Sequence, residues 1–214
     1  MRKRFDEQLN ELGKEMQAMG MMVENSIQKA IEALLRQEVE LAKSVMEGDA
    51  LVDQKQKEIE SICFALLMQQ QPVASDLRTI SAALKMVTDM ERIGDHAADI
   101  SEMTLHLAHE PYIKNLDHIR QMATETTWML LQSIEAYVEK DTKKASGVIS
   151  HDDIVDDLFA ETKKELIELI HQDKNNGEQA TDLLMVAKYF ERIGDHATNL
   201  AEWVIFSIDK RPRG

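Results

Sequence analysis

Apolar residues recur at steps of three and four along most of the chain, which is the spacing of a buried stripe on an α-helix. The first stripe comprises Phe5, Leu9, Leu12, Met16, Met19, Val23, Ile27, Ala30 and Leu34. The spacing predicts helices over residues 4–36 and 38–70 and a third helix that begins near Val73. Pro72 separates the second helix from the third, because proline removes a backbone donor and disfavours helix in the residue before it.

The second half of the chain shows the same spacing and predicts three further helices. Residues 109–112 are the predicted connection between the halves, and the fourth helix carries the stripe from Ile119 to Tyr137. A fifth helix starts at Asp141 and ends before Asp173, and a sixth covers residues 178–209. Charged residues at 30%, aromatic residues at 5% and only three prolines fit long helices better than sheets. The sequence therefore predicts an all-α protein.

An internal repeat relates the two halves. The heptapeptide ERIGDHA at residues 91–97 returns letter for letter at residues 191–197, an offset of 100. Residues 19–34 match residues 122–137 at an offset of 103 instead, so the connection between the second and third helices is predicted to be three residues shorter in the second half. The fold is thus predicted to be two tandem three-helix-bundle repeats, residues 1–110 and 111–214, with six long helices in all.

Each repeat carries two pairs of acidic residues, and the members of each pair are four positions apart, so each pair shares one helix face. Two carboxylates about 5 Å apart repel by roughly 3 kcal/mol at an effective dielectric constant of 20, so a converging set needs a compensating cation. Carboxylates are hard oxygen ligands that can bridge more than one ion. The predicted metal ligands are Asp49, Asp53, Glu91 and Asp95 in the first repeat and Asp152, Asp156, Glu191 and Asp195 in the second.

Other interpretations of these acids stay open. Arg92 and Arg192 could neutralise them as ion pairs in a plain helical adaptor without metal. His96 and His196, one residue past the aspartates, are expected beside the metal ligands or on the surface, with Asp99 and Asn199 as further candidates. A metal-dependent carboxylate enzyme is the third interpretation.

The enzymatic interpretation finds little support in the sequence. Di-iron bundles use two Glu-x-x-His motifs, whereas this chain has one, from Glu168 to His171. The chain also lacks a nucleophile elbow, a phosphate-binding glycine loop and a zinc-protease signature. No catalytic residue is predicted, and the protein is expected not to be an enzyme.

Composition restricts the possible partners and the location of the protein, and several single residues allow further predictions. A formal charge of −14 disfavours nucleic acid as a partner, and the basic runs at residues 2–4 and 210–213 are interpreted as solvated ends. No stretch approaches the roughly 20 apolar residues that span a bilayer, so a cytoplasmic protein is expected. Cys63 is predicted to be buried and inert. The methionines of the first helix are predicted to fill the core, and Gly48 is expected to mark a close backbone approach or room for a bulky group.

The motifs together resemble the PhoU family of phosphate-transport accessory regulators. The resemblance rests on QQPVASDLR at residues 70–78, on MERIGDHA at residues 90–97, and on the second copy of the motif through residue 202, and it extends from Phe5 to about Asp209. It implies two three-helix repeats whose eight acidic motif positions hold multinuclear metal clusters. Iron or zinc is the expected metal, with manganese and magnesium also acceptable to carboxylates.

The resemblance also implies a role and partners. Such a protein acts in the cytoplasm as a negative regulator of the phosphate-starvation response. It couples the ATPase subunit of a phosphate ABC transporter to a sensor histidine kinase and is peripheral to the membrane through these partners. A homodimer is compatible with the sequence. Because residues 174–177 replace the glutamine-proline lead-in in the second half, the two metal sites are expected to differ.

Overall fold

The structure is a computed structural model that describes residues 2–69 and 73–209, with side chains for residues 5–68 and 73–209. Over these residues the chain forms six long helices and no strand, which confirms the all-α prediction. The helices are α1 (Arg2–Arg36), α2 (Val39–Gln69), α3 (Ala74–Leu107), α4 (Asp117–Glu139), α5 (Thr142–Gln172) and α6 (Gly177–Ile208), with a short 3-10 helix at Lys174–Asn176. The predicted end of the second helix at Gln70 lies outside the described residues.

The helices of each half pack against one another, and the two halves share one core. Helices α1, α2 and α3 are in mutual contact, as are α4, α5 and α6. The most extensive interface in the described structure joins α3 to α6, and α1 also contacts α4. Helices α1, α3, α6 and α4 therefore form a closed ring, which α2 and α5 flank. The predicted pair of three-helix repeats is confirmed.

The predicted stripes line the core. Met16 and Met19 are fully buried, as predicted, whereas Met21 is 67% exposed, so the prediction that it fills the core is wrong. Met21 follows Gly20 on a different face of α1, away from the stripe. Cys63 is fully buried, and burial raises the pKa of its thiol to about 12, so it is inert at neutral pH.

Two glycines differ in what surrounds them. A methyl group at Gly20 would overlap the side chain of Ile134, so this glycine allows α1 to approach α4. Nothing lies within 4 Å of the corresponding point at Gly48, so of the two alternatives for this glycine the close backbone approach is wrong and the room for a bulky group agrees with the structure. Gly48 instead borders an open groove between α1 and α2, beside Met22 and Leu51.

The turns that follow α1 and α4 have the same backbone conformation. Gln37 (φ 55°) and Lys140 (φ 57°) occupy equivalent repeat positions, and both adopt the left-handed conformation. This conformation is unfavourable for a residue with a side chain. At Gln37 two hydrogen bonds offset that cost, because its side-chain amide donates to the carbonyls of Leu107 and Glu110, each at 2.7 Å. Asp141 follows Lys140 and caps α5, with its carboxylate accepting from two backbone amides; these hydrogen bonds lower its pKa.

Four residues separate α5 from α6 and four separate α2 from α3, so the prediction that this connection is three residues shorter in the second half is wrong. The change of offset from 103 to 100 lies within the helices instead, because Glu91 stands 17 positions after Ala74 and Glu191 stands 14 positions after Gly177.

Asp173 alone links Gln172 to the 3-10 helix, and its side chain accepts a hydrogen bond from the backbone amide of Asn175 at 2.9 Å. None of the described helices is both long enough and apolar enough to cross a bilayer.

The left-handed turns give a paired stability test. Lys140→Gly should raise the free energy of unfolding by up to about 1 kcal/mol, because glycine adopts this conformation without the penalty of a side chain. Gln37→Gly should lower it by about 1 kcal/mol, because the two hydrogen bonds of the Gln37 side chain are lost and this loss exceeds the gain from glycine at a left-handed position. Urea denaturation of both variants measures the difference. Equal shifts of the same sign in the two variants would contradict this account of the turns.

Candidate metal centre

The first predicted cluster converges where α2 meets α3. Asp49 and Asp53 on α2 and Asp95 on α3 each place one carboxylate oxygen so that all three oxygens lie within 4.8 Å of one another. Glu91 lies one turn before Asp95, and its side chain is 17% exposed. All four acids lie at one junction between two helices, and three of them form a compact set of oxygen ligands.

The glycine of the heptapeptide motif determines how close the two helices come. A methyl group at Gly94 would stand 3.2 Å from Val52 Cγ1 and 3.5 Å from Asp49 Oδ1. At Gly194 a methyl group would stand 3.0 Å from Asp152 Oδ1 and 3.4 Å from Val155 Cγ1. Because the glycines lack a side chain, an aspartate oxygen of the neighbouring helix can lie directly over each motif.

The first cluster is electrostatically strained without a cation. Burial raises the pKa of Asp49 to about 6, and the charges of Asp95, Asp53 and Asp99 add to the rise. Burial and the nearby aspartates also raise the pKa of Glu91, against the lowering effect of Arg92. Asp49 Oδ1 is buried and has no hydrogen-bond partner within the described structure. A buried oxygen of this kind is costly unless something binds it, and a metal ion fits that need.

The second cluster has the same composition but a different arrangement. Burial raises the pKa of Asp152 to about 6, followed by the charges of Asp156, Asp195 and Glu191. Burial, followed by the charge of Glu191, also raises the pKa values of Asp156 and Asp195. The four acids are therefore electrostatic neighbours, yet within the described residues no three of them bring ligand atoms within 4.8 Å of one another.

Basic side chains neutralise part of each cluster. Arg92 Nη1 lies 2.9 Å from Asp95 Oδ2, and its Nε lies 3.5 Å from Glu91 Oε2. In the second repeat Lys188 forms an ion pair with Glu191, whereas the equivalent position of the first repeat is Thr88. The ion-pair interpretation thus has support at Glu91, Asp95 and Glu191. It leaves the buried oxygen of Asp49 without a partner.

The motif histidines lie between the repeats rather than among the aspartates. Buried His96 and half-buried His196 stand with ring centroids 5.6 Å apart at the interface of α3 and α6. His196 Nδ1 lies 2.8 Å from Asp89 Oδ1, which also accepts a hydrogen bond from Asn199, and His96 Nδ1 lies 3.1 Å from Asp99 Oδ2. The histidines therefore join the two repeats.

Asp89 is a residue that the sequence analysis missed. It stands seven residues, or two helical turns, before His96, so spacing places both on one face of α3. Its partner, however, is His196 of the other repeat, and a comparison of the repeats cannot reveal a contact between them.

The raised aspartate pKa values predict how stability changes with pH. In the metal-free protein the ionised side chains of Asp49 and Asp152 lower the free energy of unfolding above a pH of about 6. This destabilisation decreases as the pH falls and disappears below the ordinary aspartate pKa of 3.8, which applies to the unfolded chain. The double variant Asp49→Asn, Asp152→Asn should therefore be more stable than the wild type at pH 7.5. After allowance for solvent screening we expect about 1 kcal/mol per site. The advantage should vanish near pH 4.

Urea unfolding in the presence of a chelator measures this difference. The control is Glu47→Gln, Asp157→Asn, which removes the same number of charges from exposed positions on α2 and α5. A control variant that gains as much stability as the test variant at pH 7.5 would assign the effect to net charge instead.

Comparison with known proteins identifies relatives over almost the whole chain. The family described as the PhoU domain matches residues 16–104 and again residues 119–204. A relative from Clostridium acetobutylicum is 40% identical over 208 residues, which cover 97% of this chain and 95% of the relative. A relative from Aquifex aeolicus is 38% identical and covers 86% of this chain and 84% of its own. Both are named phosphate-specific transport system accessory protein PhoU homologs.

Solved structures agree with the sequence relatives. The crystal structure of PhoU from Pseudomonas aeruginosa superimposes with a TM-score of 0.91 at 30% identity and covers 95% of this chain and 98% of its own. PhoU from Streptococcus pneumoniae, described as a phosphate transport system regulatory protein, gives 0.87 at 28% identity and covers 95% and 96%. With both repeats matched and the six-helix fold shared, the chain belongs to the PhoU family.

Proposed function

We propose that this protein is a non-enzymatic accessory regulator of a phosphate-specific transport system and that it binds metal ions at its two carboxylate clusters. Membership of the PhoU family and the names of its relatives support the accessory role in phosphate transport. The observation that supports metal binding is the convergence of Asp49, Asp53 and Asp95 beside a buried oxygen without a partner.

The first site fits a metal ion by its donor chemistry. Asp49, Asp53 and Asp95 supply oxygen ligands, with Glu91 next to them, and such a set suits iron, manganese or magnesium and is acceptable to zinc. A bound ion would neutralise the mutual repulsion of the carboxylates and connect α2 to α3.

The second site would use Asp152, Asp156, Glu191 and Asp195, with an added requirement. Lys188 is paired with Glu191, so an ion that binds through that carboxylate must share it with Lys188 or displace the lysine. The sites would therefore fill with different affinities, and more than one ion per site is compatible with bridging carboxylates.

The regulatory part of the proposal concerns protein contacts. The ATPase subunit of a phosphate ABC transporter and a sensor histidine kinase would bind helical faces of the bundle, and the regulator would restrain phosphate-starvation genes when phosphate is plentiful. The protein would act in the cytoplasm, as a homodimer or monomer. Metal ions would brace the helix pairs that present these faces.

A metal-free helical adaptor is the second candidate. The contacts of Arg92 with Asp95 and Glu91 favour it, because they neutralise part of the first cluster without a metal. The two candidates differ in what they predict for Asp49, which is paired only in the metal-bound form.

Metal content separates the two candidates. Protein purified without a metal-affinity step should contain iron, manganese or zinc by elemental analysis, and Asp49→Asn, Asp53→Asn should lose at least half of it because the first site is removed. The control Glu47→Gln lies exposed on the same helix and should keep the wild-type content. Wild-type protein that stays empty after incubation with each ion would support the adaptor instead.

The regulatory role is testable in the host. Deletion of the gene should raise expression of a phosphate-starvation reporter severalfold in phosphate-rich medium, because the restraint is lost, and the wild-type gene should restore it. A reporter that is unchanged by the deletion would count against the regulatory role. Complementation by Asp49→Asn, Asp53→Asn then measures how far that role depends on the first metal site.

A further inference from the structure

An open groove of about 270 Å³ lies between α1 and α2 of the first repeat. Its floor is apolar, because Val45 and Val52 are buried there, and Met22 and Leu51 stand at its rim. Nothing lies within 4 Å of the point that a methyl group at Gly48 would occupy. We call this recess the α1–α2 groove. Its other lining residues are Asn25, Ser26, Lys29 and Ser44.

The second repeat has a cluster of three side chains where the first repeat has this groove. An offset of 103 residues relates three residues of the groove to the cluster: Met22 to Glu125, Asn25 to Trp128, and Gly48 to His151. The Trp128 ring lies on the His151 ring, with centroids 4.2 Å apart, and His151 Nε2 lies 2.7 Å from Glu125 Oε2. An indole therefore occupies, between α4 and α5, the place that is open between α1 and α2.

Smaller side chains leave the first repeat open. Asn25 and Gly48 replace the tryptophan and the histidine of the second repeat. Ser26 likewise stands at the position of Met129, which is fully buried. Helices close up only partly around missing side-chain volume, so the difference in size remains as a groove. The second repeat thus shows which group fits between this pair of helices, namely a flat aromatic ring.

The polar side of the groove indicates what should lie next to such a ring. Lys29 is the only charged residue among the nine that line the groove in the described structure. It is exposed, and neither its ammonium group nor the Asn25 amide has a hydrogen-bond or ion-pair partner among the described residues. Glu32, the nearest acid along α1, pairs with Arg36 at 2.8 Å instead. Lys29 is therefore available to a carboxylate from outside.

We propose that the α1–α2 groove binds an aromatic side chain of a protein partner, presented on a segment with a neighbouring acidic residue. The ring would lie between Asn25 and Gly48, as the ring of Trp128 lies on His151 in the second repeat. The acidic residue would pair with Lys29, and the Asn25 amide would hydrogen-bond the backbone of the segment. An aromatic side chain buries about 150–250 Å² and is a common anchor of protein contacts.

This contact is separate from the metal clusters. It holds whether or not metal occupies them, so peptide binding and metal content are able to fail independently. A second copy of the chain fits the groove less well than another protein, because it offers Trp128 only as a ring already stacked on His151.

Methyl NMR of the full-length protein, labelled at methionine, tests the proposal. The probes are the blocked peptides Glu-Trp-Glu, Glu-Ala-Glu and Lys-Trp-Lys, in about 0.15 M salt, where screening over about 8 Å leaves mainly local charges to act. A single anchor should bind with a dissociation constant on the order of 1 mM. Glu-Trp-Glu should shift the methyl signal of Met22 and leave that of Met185, exposed on α6, unchanged. Glu-Ala-Glu should shift neither signal.

Two glycine variants provide a matched pair. Gly48→Leu fills the groove, and Gly147→Leu makes the same change in α5, where a helical glycine also has nothing within 4 Å. Gly48→Leu should weaken binding of Glu-Trp-Glu at least tenfold, and Gly147→Leu should leave it within twofold of the wild type. Lys29→Glu should weaken it severalfold, whereas Lys163→Glu, at an exposed position on α5, should not. Circular dichroism checks that each variant is folded.

Three outcomes would overturn the proposal. They are an unchanged Met22 signal at tenfold the expected dissociation constant, equal losses in the two glycine variants, and tighter binding of Lys-Trp-Lys than of Glu-Trp-Glu. Dimers of the wild type that dissociate in Gly48→Leu but not in Gly147→Leu, without peptide binding, would assign the groove to a second copy instead. Sedimentation velocity of the same samples detects that case.

Discussion

The close approach of α2 to α3 over Gly94, repeated by α5 over Gly194, is the constraint on which the rest of the structure depends. It places a carboxylate oxygen of Asp49 or Asp152 against the neighbouring helix, where little space remains for any other group. Val52, and Val155 in the second repeat, pack against the motif glycines and hold these helices together, while the neighbouring carboxylates repel one another. Hydrophobic packing in the bundle therefore holds like charges close together. The raised pKa values of Asp49 and Asp152 reflect the free-energy cost of this arrangement.

The two repeats respond to this constraint in different ways. In the first, Arg92 contacts Asp95 and Glu91 from an exposed position, and Asp49 stays unpaired. In the second, Lys188 pairs with Glu191 from the preceding turn of α6. An internal duplication thus gives two clusters with the same acids but different competing cations.

The sequence predicted the helices and the repeat because both depend on local spacing, and the stripes of α1 to α6 needed no knowledge of the tertiary structure. It also identified the acids that share helix faces, although metal at those positions stays a prediction. It failed where the outcome depends on contacts between helices. Spacing left close approach and open room as alternatives at Gly48, and only the packing of α1 on α2 shows that it borders a groove. The contact of Asp89 with His196 crosses from one repeat to the other.

The central claim is that the carboxylates of the first cluster meet in order to bind a cation. The most direct test is a crystal structure of the protein in manganese, with anomalous diffraction recorded at the manganese edge. The account predicts an anomalous peak within bonding distance of Asp49, Asp53 and Asp95, with Asp49 Oδ1 as a ligand. A map without a peak there, in which a water molecule or a basic side chain binds Asp49 Oδ1, would contradict it.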